Sequence, residues 1–249
     1  MKKFKLVTII LLLTFIILLS KVCDAYGFGF KKNYNNTKPD IGIYQNILDE
    51  NNGRYVGDES SKKVYLTFDC GYENGNTLQI LDTLENYNVK ATFFLTGHYI
   101  ESASDLVLRM VNDGHVLGNH SYKHKNITKI SNEEITKEIR LLEEAYKRLT
   151  GKTIDPFYRP PEGEFDKDSL SHISSLGYMS VFWSIAYKDW DKENSVDYII
   201  NEISKNAHNG AIILMHTVSK NNSIALAGVI EKLTKMGYTF STPYDLISS

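Results

Sequence analysis

Lys62-Lys63-Val64-Tyr65-Leu66-Thr67-Phe68-Asp69-Cys70-Gly71 decides the fold. Residues 64–68 form a largely apolar run that reads as a strand, and it ends abruptly on an acidic turn. Further runs of this kind lie at 91–95, 115–118, 156–159, 179–184, 211–216 and 238–241. Helical patterns fall between them at 76–88, 103–112, 132–149, 167–176, 196–206 and 223–236. Ser131, with Glu134 three residues on, forms a capping box ahead of one of these helices. Gly114, Gly151, Gly177, Gly210 and Gly237 stand at or just after helix ends, where a left-handed residue is wanted. Seven strands alternating with six helices imply a parallel sheet, and the length fits an α/β fold, a distorted (β/α)7 barrel. Asp69, His120, Arg159, Ser184 and His216 fall at or just beyond the C-terminal ends of their strands. In a parallel barrel those ends share one face, where catalytic residues gather.

The chain has 249 residues, 42% of them hydrophobic, enough for a packed core. Lys2, Lys3 and Lys5 precede an uncharged apolar run at 6–19, and Cys23-Asp24-Ala25 offers a small-x-small cleavage site. Residues 1–25 therefore read as a secretory signal peptide, or as an uncleaved anchor somewhat shorter than the ~20 residues of a full span. Residues 26–61 are rich in Gly, Asn, Tyr and Lys and read as a loosely packed linker with one helical turn at most. The globular domain is expected over 62–243. Removing residues 1–25, which carry four lysines and one aspartate, moves the formal charge from −2 to −5. A mildly acidic chain without a basic stripe is a poor nucleic-acid binder. Cys70 alone survives cleavage, so the mature chain forms no internal disulfide. The expected setting is outside the cytoplasmic membrane, secreted or within the cell envelope, as a monomer. Membrane contact would come only through the N-terminal segment.

His120 and His124 in His120-Ser121-Tyr122-Lys123-His124 would share one side of a helical turn, so that both imidazoles reach one divalent metal ion. Asp69 offers a carboxylate base, and His216, closing an apolar run, an imidazole able to hold and release a proton near neutrality. These are the parts of a metal-assisted hydrolase.

Five segments in order resemble the motifs of the polysaccharide deacetylase family, the carbohydrate esterases with a NodB homology domain. They are Thr67-Phe68-Asp69-Cys70-Gly71, the His120–His124 segment, Arg159-Pro160-Pro161-Glu162-Gly163, Asp189-Trp190 and Leu214-Met215-His216. The resemblance covers residues 62–243. It implies a divalent cofactor, usually zinc, held by His120 and His124. It also implies Asp69 as general base paired with Arg159, and His216 as general acid oriented by Asp189. The backbone N–H of Glu162 would help bind the oxyanion, and Trp190 and Leu214 would accept the acetyl methyl group. Where the family has a second aspartate this chain has Cys70. Its thiolate could ligate zinc, or the side chain could face an apolar pocket and leave the metal with two histidines and solvent. Arg159 and Asp69 could also be a structural pair closing the barrel end. His98, after a strand, could border the site.

Asp69-Cys70-Gly71-Tyr72-Glu73-Asn74-Gly75, Val181-Phe182-Trp183-Ser184 and His216-Thr217-Val218-Ser219 are most similar to the delta-lactam-biosynthetic deacetylases of spore-forming bacteria. That resemblance implies peptidoglycan glycan strands as partner and removal of acetyl from N-acetylmuramic acid in spore cortex. Two alternatives stand beside it: an N-acetylglucosamine deacetylase of the vegetative wall, and a catalytically weakened glycan-binding barrel.

Overall fold

The computed structural model describes residues 25–32, 35–189 and 194–247; residues 1–24, nearly all of the expected signal or anchor segment, lie outside them. All seven expected strands form. They are β3 (Lys63–Cys70), β4 (Thr92–Leu95), β5 (Val116–Asn119), β6 (Phe157–Tyr158), β8 (Met179–Val181), β9 (Ala211–His216) and β10 (Thr239–Ser241). Every pairing among them is parallel. β3 is the hub. β9 runs along one side of it from Val64 to Asp69, while β10 and β4 divide the other side between its first and second halves. The sheet runs on through β5 and β6 to β8. Past Val181 the chain reaches β9 again through the bridge Ile185–Ile213, with Leu214 N–H donating to Ile185 O at 2.9 Å. This closes the distorted (β/α)7 barrel.

Helices α2 (Thr77–Asn86), α4 (Ser104–Asn112), α5 (Asn132–Thr150), α6 (Lys167–Ser175), α7 (Val196–Asn206) and α8 (Lys220–Lys235) occupy the expected intervals. A short helix, α3 (Gly97–Ser102), adds to them. α5 shows why they form. Ile135, Ile139, Leu142 and Tyr146 recur at helical spacing on the buried face, and burying each is worth roughly 1.5–3 kcal/mol. Ser131 Oγ accepts from Glu134 N–H, and Gly151 at φ 72° ends the helix. The Glu134 carboxylate pairs with Lys125 at 2.6 Å, so the expected capping box is not reciprocal. The reciprocal one is Asp166–Ser169, at the start of α6.

Residues 26–61 are not a loose linker. They supply β1 (Tyr26–Gly27), α1 (Tyr44–Glu50) and β2 (Gly53–Arg54). β1 pairs antiparallel with β7 (Glu164–Phe165), and Phe28 N–H donates to Gly163 O. β2 lies parallel to β8, and Val56 bridges Ala211 of β9. At the end where the strands begin, this segment is therefore the stave between β8 and β9. Ile41, Leu48 and Tyr55 are buried with Phe165 and Phe182 in a core of their own. The sequence misled because 51–57, Asn-Asn-Gly-Arg-Tyr-Val-Gly, is too short and polar to show a strand period. Its backbone makes the contacts, and Gly57 is required where a Cβ would stand 2.4 Å from the Tyr65 ring.

Inside the barrel, Tyr65, Phe94, Val116, Phe157, Met179, Val181 and Ile212 fill the interior. Gly118 makes room for Phe94, whose ring a Cβ there would meet at 2.6 Å. Phe94 in turn forms the floor beneath the site.

Candidate active site

The register of β3 on β9 sets Asp69 directly opposite His216 at the strand ends. Both line one cavity of about 430 Å³ with Gly71, Tyr72, Thr96, His98, Tyr122, Lys123, His124 and Val218. His98 thus borders the site, as its position after β4 allowed.

Each of the two facing groups is held from behind. Arg159, fully buried after β6, gives Nη1 to Asp69 Oδ1 at 2.8 Å. Its Nε and Nη2 donate to the carbonyls of Val181 and Phe182, and the guanidinium lies 4.2 Å over the Phe94 ring. Each nitrogen of the cation makes a hydrogen bond, which fixes its orientation. Burial alone would push the Asp69 carboxyl up, but the Arg159 guanidinium, helped by the rings of His120 and His216, outweighs it. The net effect holds Asp69 below the usual carboxylate range,.

His216 Nδ1 meets Asp189 Oδ1 at 2.8 Å, and its backbone N–H donates to Asp189 Oδ2 at 2.6 Å. Burial disfavours the charged ring, yet the hydrogen bond and charge of Asp189 win, and its pKa is raised above that of ordinary histidine. Asp189 is fixed in turn by Asn222, whose Nδ2 donates to Oδ2 at 2.6 Å and to His216 O at 3.0 Å. Tyr187 OH donates to Asn222 Oδ1 at 2.7 Å. Asn222 and Tyr187 went unseen in the sequence, where an asparagine in the first turn of a helix looks like capping chemistry.

His120 and His124 do come together, with ring centroids 4.8 Å apart, but no helix joins them. The loop turns through two left-handed residues, Ser121 at φ 67° and His124 at φ 53°. Glu138, buried on the apolar face of α5, pins that loop by accepting from Ser121 Oγ at 3.0 Å and Lys123 N–H at 2.6 Å. A lone carboxylate at an Ile-Glu-Ile position of a helix stripe was the available signal for it. His120 Nδ1 donates to Arg159 O at 2.8 Å, which leaves Nε2 as the free lone pair, 3.6 Å from Asp69 Oδ2. Burial lowers the His120 pKa to about 4 despite the nearby Asp69. A neutral ring locked in one tautomer by a backbone carbonyl is the form a metal ligand takes. Among the described residues no set of three His, Cys, Asp or Glu side chains is assembled to enclose an ion. The donor chemistry of the two imidazoles suits a divalent cation whose other positions stay open to solvent and substrate.

Cys70 takes the second of its two expected positions. It is buried in the apolar layer with Ile80, Leu81 and Tyr99 and does not line the cavity. Burial pushes its thiol well above the ordinary value.

Ser184 departs from expectation. It opposes Ile212, near the start of β9, and bonds His208 Nε2 at 2.9 Å. The strand expected over 179–184 stops at Val181, so Ser184 sits low on the barrel wall. Leu214 lines a second depression of about 510 Å³ with Phe30, Trp183, Tyr187 and Lys188. Glu162 stands at φ 62° in the turn after Arg159, its carboxylate accepting from Asn126 Nδ2 at 3.1 Å. Trp190 lies outside the described residues.

The profile of the polysaccharide deacetylase family matches residues 56–181. The peptidoglycan-N-acetylmuramic acid deacetylase PdaA of Bacillus subtilis is 40% identical over 90% of this chain and 86% of its own. The peptidoglycan-N-acetylglucosamine deacetylase of Bacillus cereus is 38% identical over 76% of this chain and 69% of its own. The solved structure of Bacillus subtilis PdaA, described as a family 4 carbohydrate esterase, superposes with a TM-score of 0.87. It covers 90% of this chain and 97% of that one.

Proposed function

The chain belongs to the polysaccharide deacetylase family, and on that premise we propose that it removes the acetyl group from N-acetylmuramic acid of peptidoglycan outside the cytoplasmic membrane, in the route to muramic-delta-lactam of spore cortex. The observation that carries the chemistry is the facing pair Asp69 and His216 in one cavity, Arg159 favouring the ionised form of one and Asp189 the protonated form of the other. Two groups whose surroundings drive their protons in opposite senses are an assigned base and acid.

In this reading Asp69 accepts a proton from water as its oxygen attacks the acetamide carbon. The C–N bond then breaks, and His216 Nε2 gives its proton to the leaving sugar nitrogen. Acetate and a free amine result. Arg159 holds Asp69 ionised and aimed, while Asp189 keeps the His216 Nδ1–H in place so that Nε2 faces the substrate. The N–H of Glu162 is the oxyanion donor the family pattern assigns. His120 and His124 would hold the divalent cation, zinc by family habit, and when bound it supplies Lewis-acid polarisation of the amide carbonyl.

The choice of sugar is supported by the likeness to the Bacillus subtilis N-acetylmuramic acid deacetylase PdaA, 40% identical over 90% of the chain. A match over 90% of the chain necessarily reaches upstream of residue 62, into the segment that forms the extra stave. Among the described residues no helix is long and apolar enough to cross a membrane. The test is mass spectrometry of peptide-free muramyl glycans incubated with the zinc-loaded protein. Loss of acetyl from muramic acid is expected, and Asp69→Asn should slow it by ~10²-fold or more. Acetyl loss confined to glucosamine would overturn the sugar assignment.

A further inference from the structure

Muramic acid differs from glucosamine by a lactyl ether at C3, the ring carbon next to C2, which bears the acetamide. When the peptide is absent, that group ends in a carboxylate. A protein group that reads this charge must therefore stand in the cavity where the amide reacts, not in a remote groove. Among the described residues lining that cavity, only Lys123 carries an ammonium.

Lys123 stands on the wall of that cavity. The left-handed turn at Ser121 and the Glu138 clamp on the Lys123 N–H fix its backbone between the two imidazoles. The neighbouring Tyr122 is tied down, its ring against Gly97, where a Cβ would be 2.2 Å away, and its hydroxyl on Glu101 at 2.5 Å. The acidic residues beneath the turn are already served. Lys125 pairs with Glu134 at 2.6 Å and with Glu138 at 3.5 Å. Lys123 contributes its field to Glu134, but among the described residues it makes no ion pair, and its side chain is exposed. An exposed, flexible cation on the wall of this cavity is free to meet an anion bound there.

We propose that Lys123 is a specificity-determining residue, its ammonium receiving the free lactyl carboxylate of the sugar being deacetylated. The inference rests on the muramic acid reading above. A lactyl group still joined to peptide is an amide, without the charge that Lys123 would meet, so the same contact would favour peptide-free strands.

The test compares kcat/KM of the zinc-loaded protein on a peptide-free muramyl oligosaccharide and on the same oligosaccharide with its lactyl groups converted to methyl amides. The wild type should prefer the acid by roughly ten-fold, the range of a charge-assisted contact in a partly open site. Lys123→Met should bring that ratio close to one, mainly through KM for the acid, and Lys123→Arg should keep most of it. Equal preference in wild type and Lys123→Met, with muramic acid still deacetylated, would overturn the role of Lys123 and leave the proposed function standing. No deacetylation of either muramyl substrate by the wild type, with activity on N-acetylglucosamine oligomers, would overturn the function itself.

Discussion

Arg159 and Asp69 form an ion pair in a nearly dry site, and such a pair is destabilising mainly when broken. Arg159→Met leaves the Asp69 carboxylate buried without its counter-charge and should cost ~3–5 kcal/mol of stability. The double variant Asp69→Asn/Arg159→Met should regain much of that loss in urea unfolding while remaining inactive. A simple surface pair would show neither the loss nor the recovery. His216 predicts a pH effect of definite sign. Its pKa is raised in the folded protein, so the acid form persists to higher pH than in ordinary histidine. Its contribution to stability is fully present below about 6.5 and is lost as pH rises through the folded value. Asp189→Asn removes the raising charge, and the alkaline limb of kcat/KM should move to lower pH. The same shift should appear in His216 titration by NMR. The placement of Asp69 and His216 at facing strand ends was legible because each closes an apolar run, and a charged residue there has few reasons to exist. Ser184 looked equally placed and was not, because strand length is set by pairing partners that the local sequence does not show.

At the level of elements, helices were the most readable part. α4 to α7 begin and end within one residue of expectation, because apolar spacing and terminal glycines act locally. The loop carrying His120 and His124 was not, since a His-x-x-x-His spacing says helix and only the tertiary clamp from Glu138 says otherwise. Glu138→Gln should loosen this loop more than it unfolds the protein. The expected readout is weaker zinc binding, by 10-fold or more, with far-UV circular dichroism retained. The segment 26–61 was the largest misreading. Leu48 is fully buried under β2, where the Cβ of any residue replacing Gly53 would meet it at 2.8 Å. Leu48→Ala should therefore cost 2–5 kcal/mol, a loss that a loose tether would not produce.

For the molecule as a whole, the two ends of the barrel have divided tasks. The C-terminal end of the strands holds Asp69, His216 and the cavity between them. At the opposite end, His115 is buried ahead of β5, its Nδ1 accepting from Ala91 N–H at 3.3 Å. Burial lowers its pKa to about 4. Between that value and 6.5 the unfolded chain binds the extra proton, so stability falls as pH drops through this window. His115→Gln should flatten that part of the profile, measured as the urea midpoint from pH 7 to 4, while leaving turnover intact.

The stave formed by β2 has a consequence for how this chain comes to be folded. It is synthesised before every strand it touches, yet one neighbour, β9, lies more than 150 residues downstream. Closure of the ring must wait until nearly the whole polypeptide has been delivered, and contacts of such sequence separation form slowly. A chain shortened to start at residue 56, where the family profile begins, would lack this stave. The flank of β8 would then present bare amides and carbonyls to any passing strand, and sticking to other copies would be the expected fate.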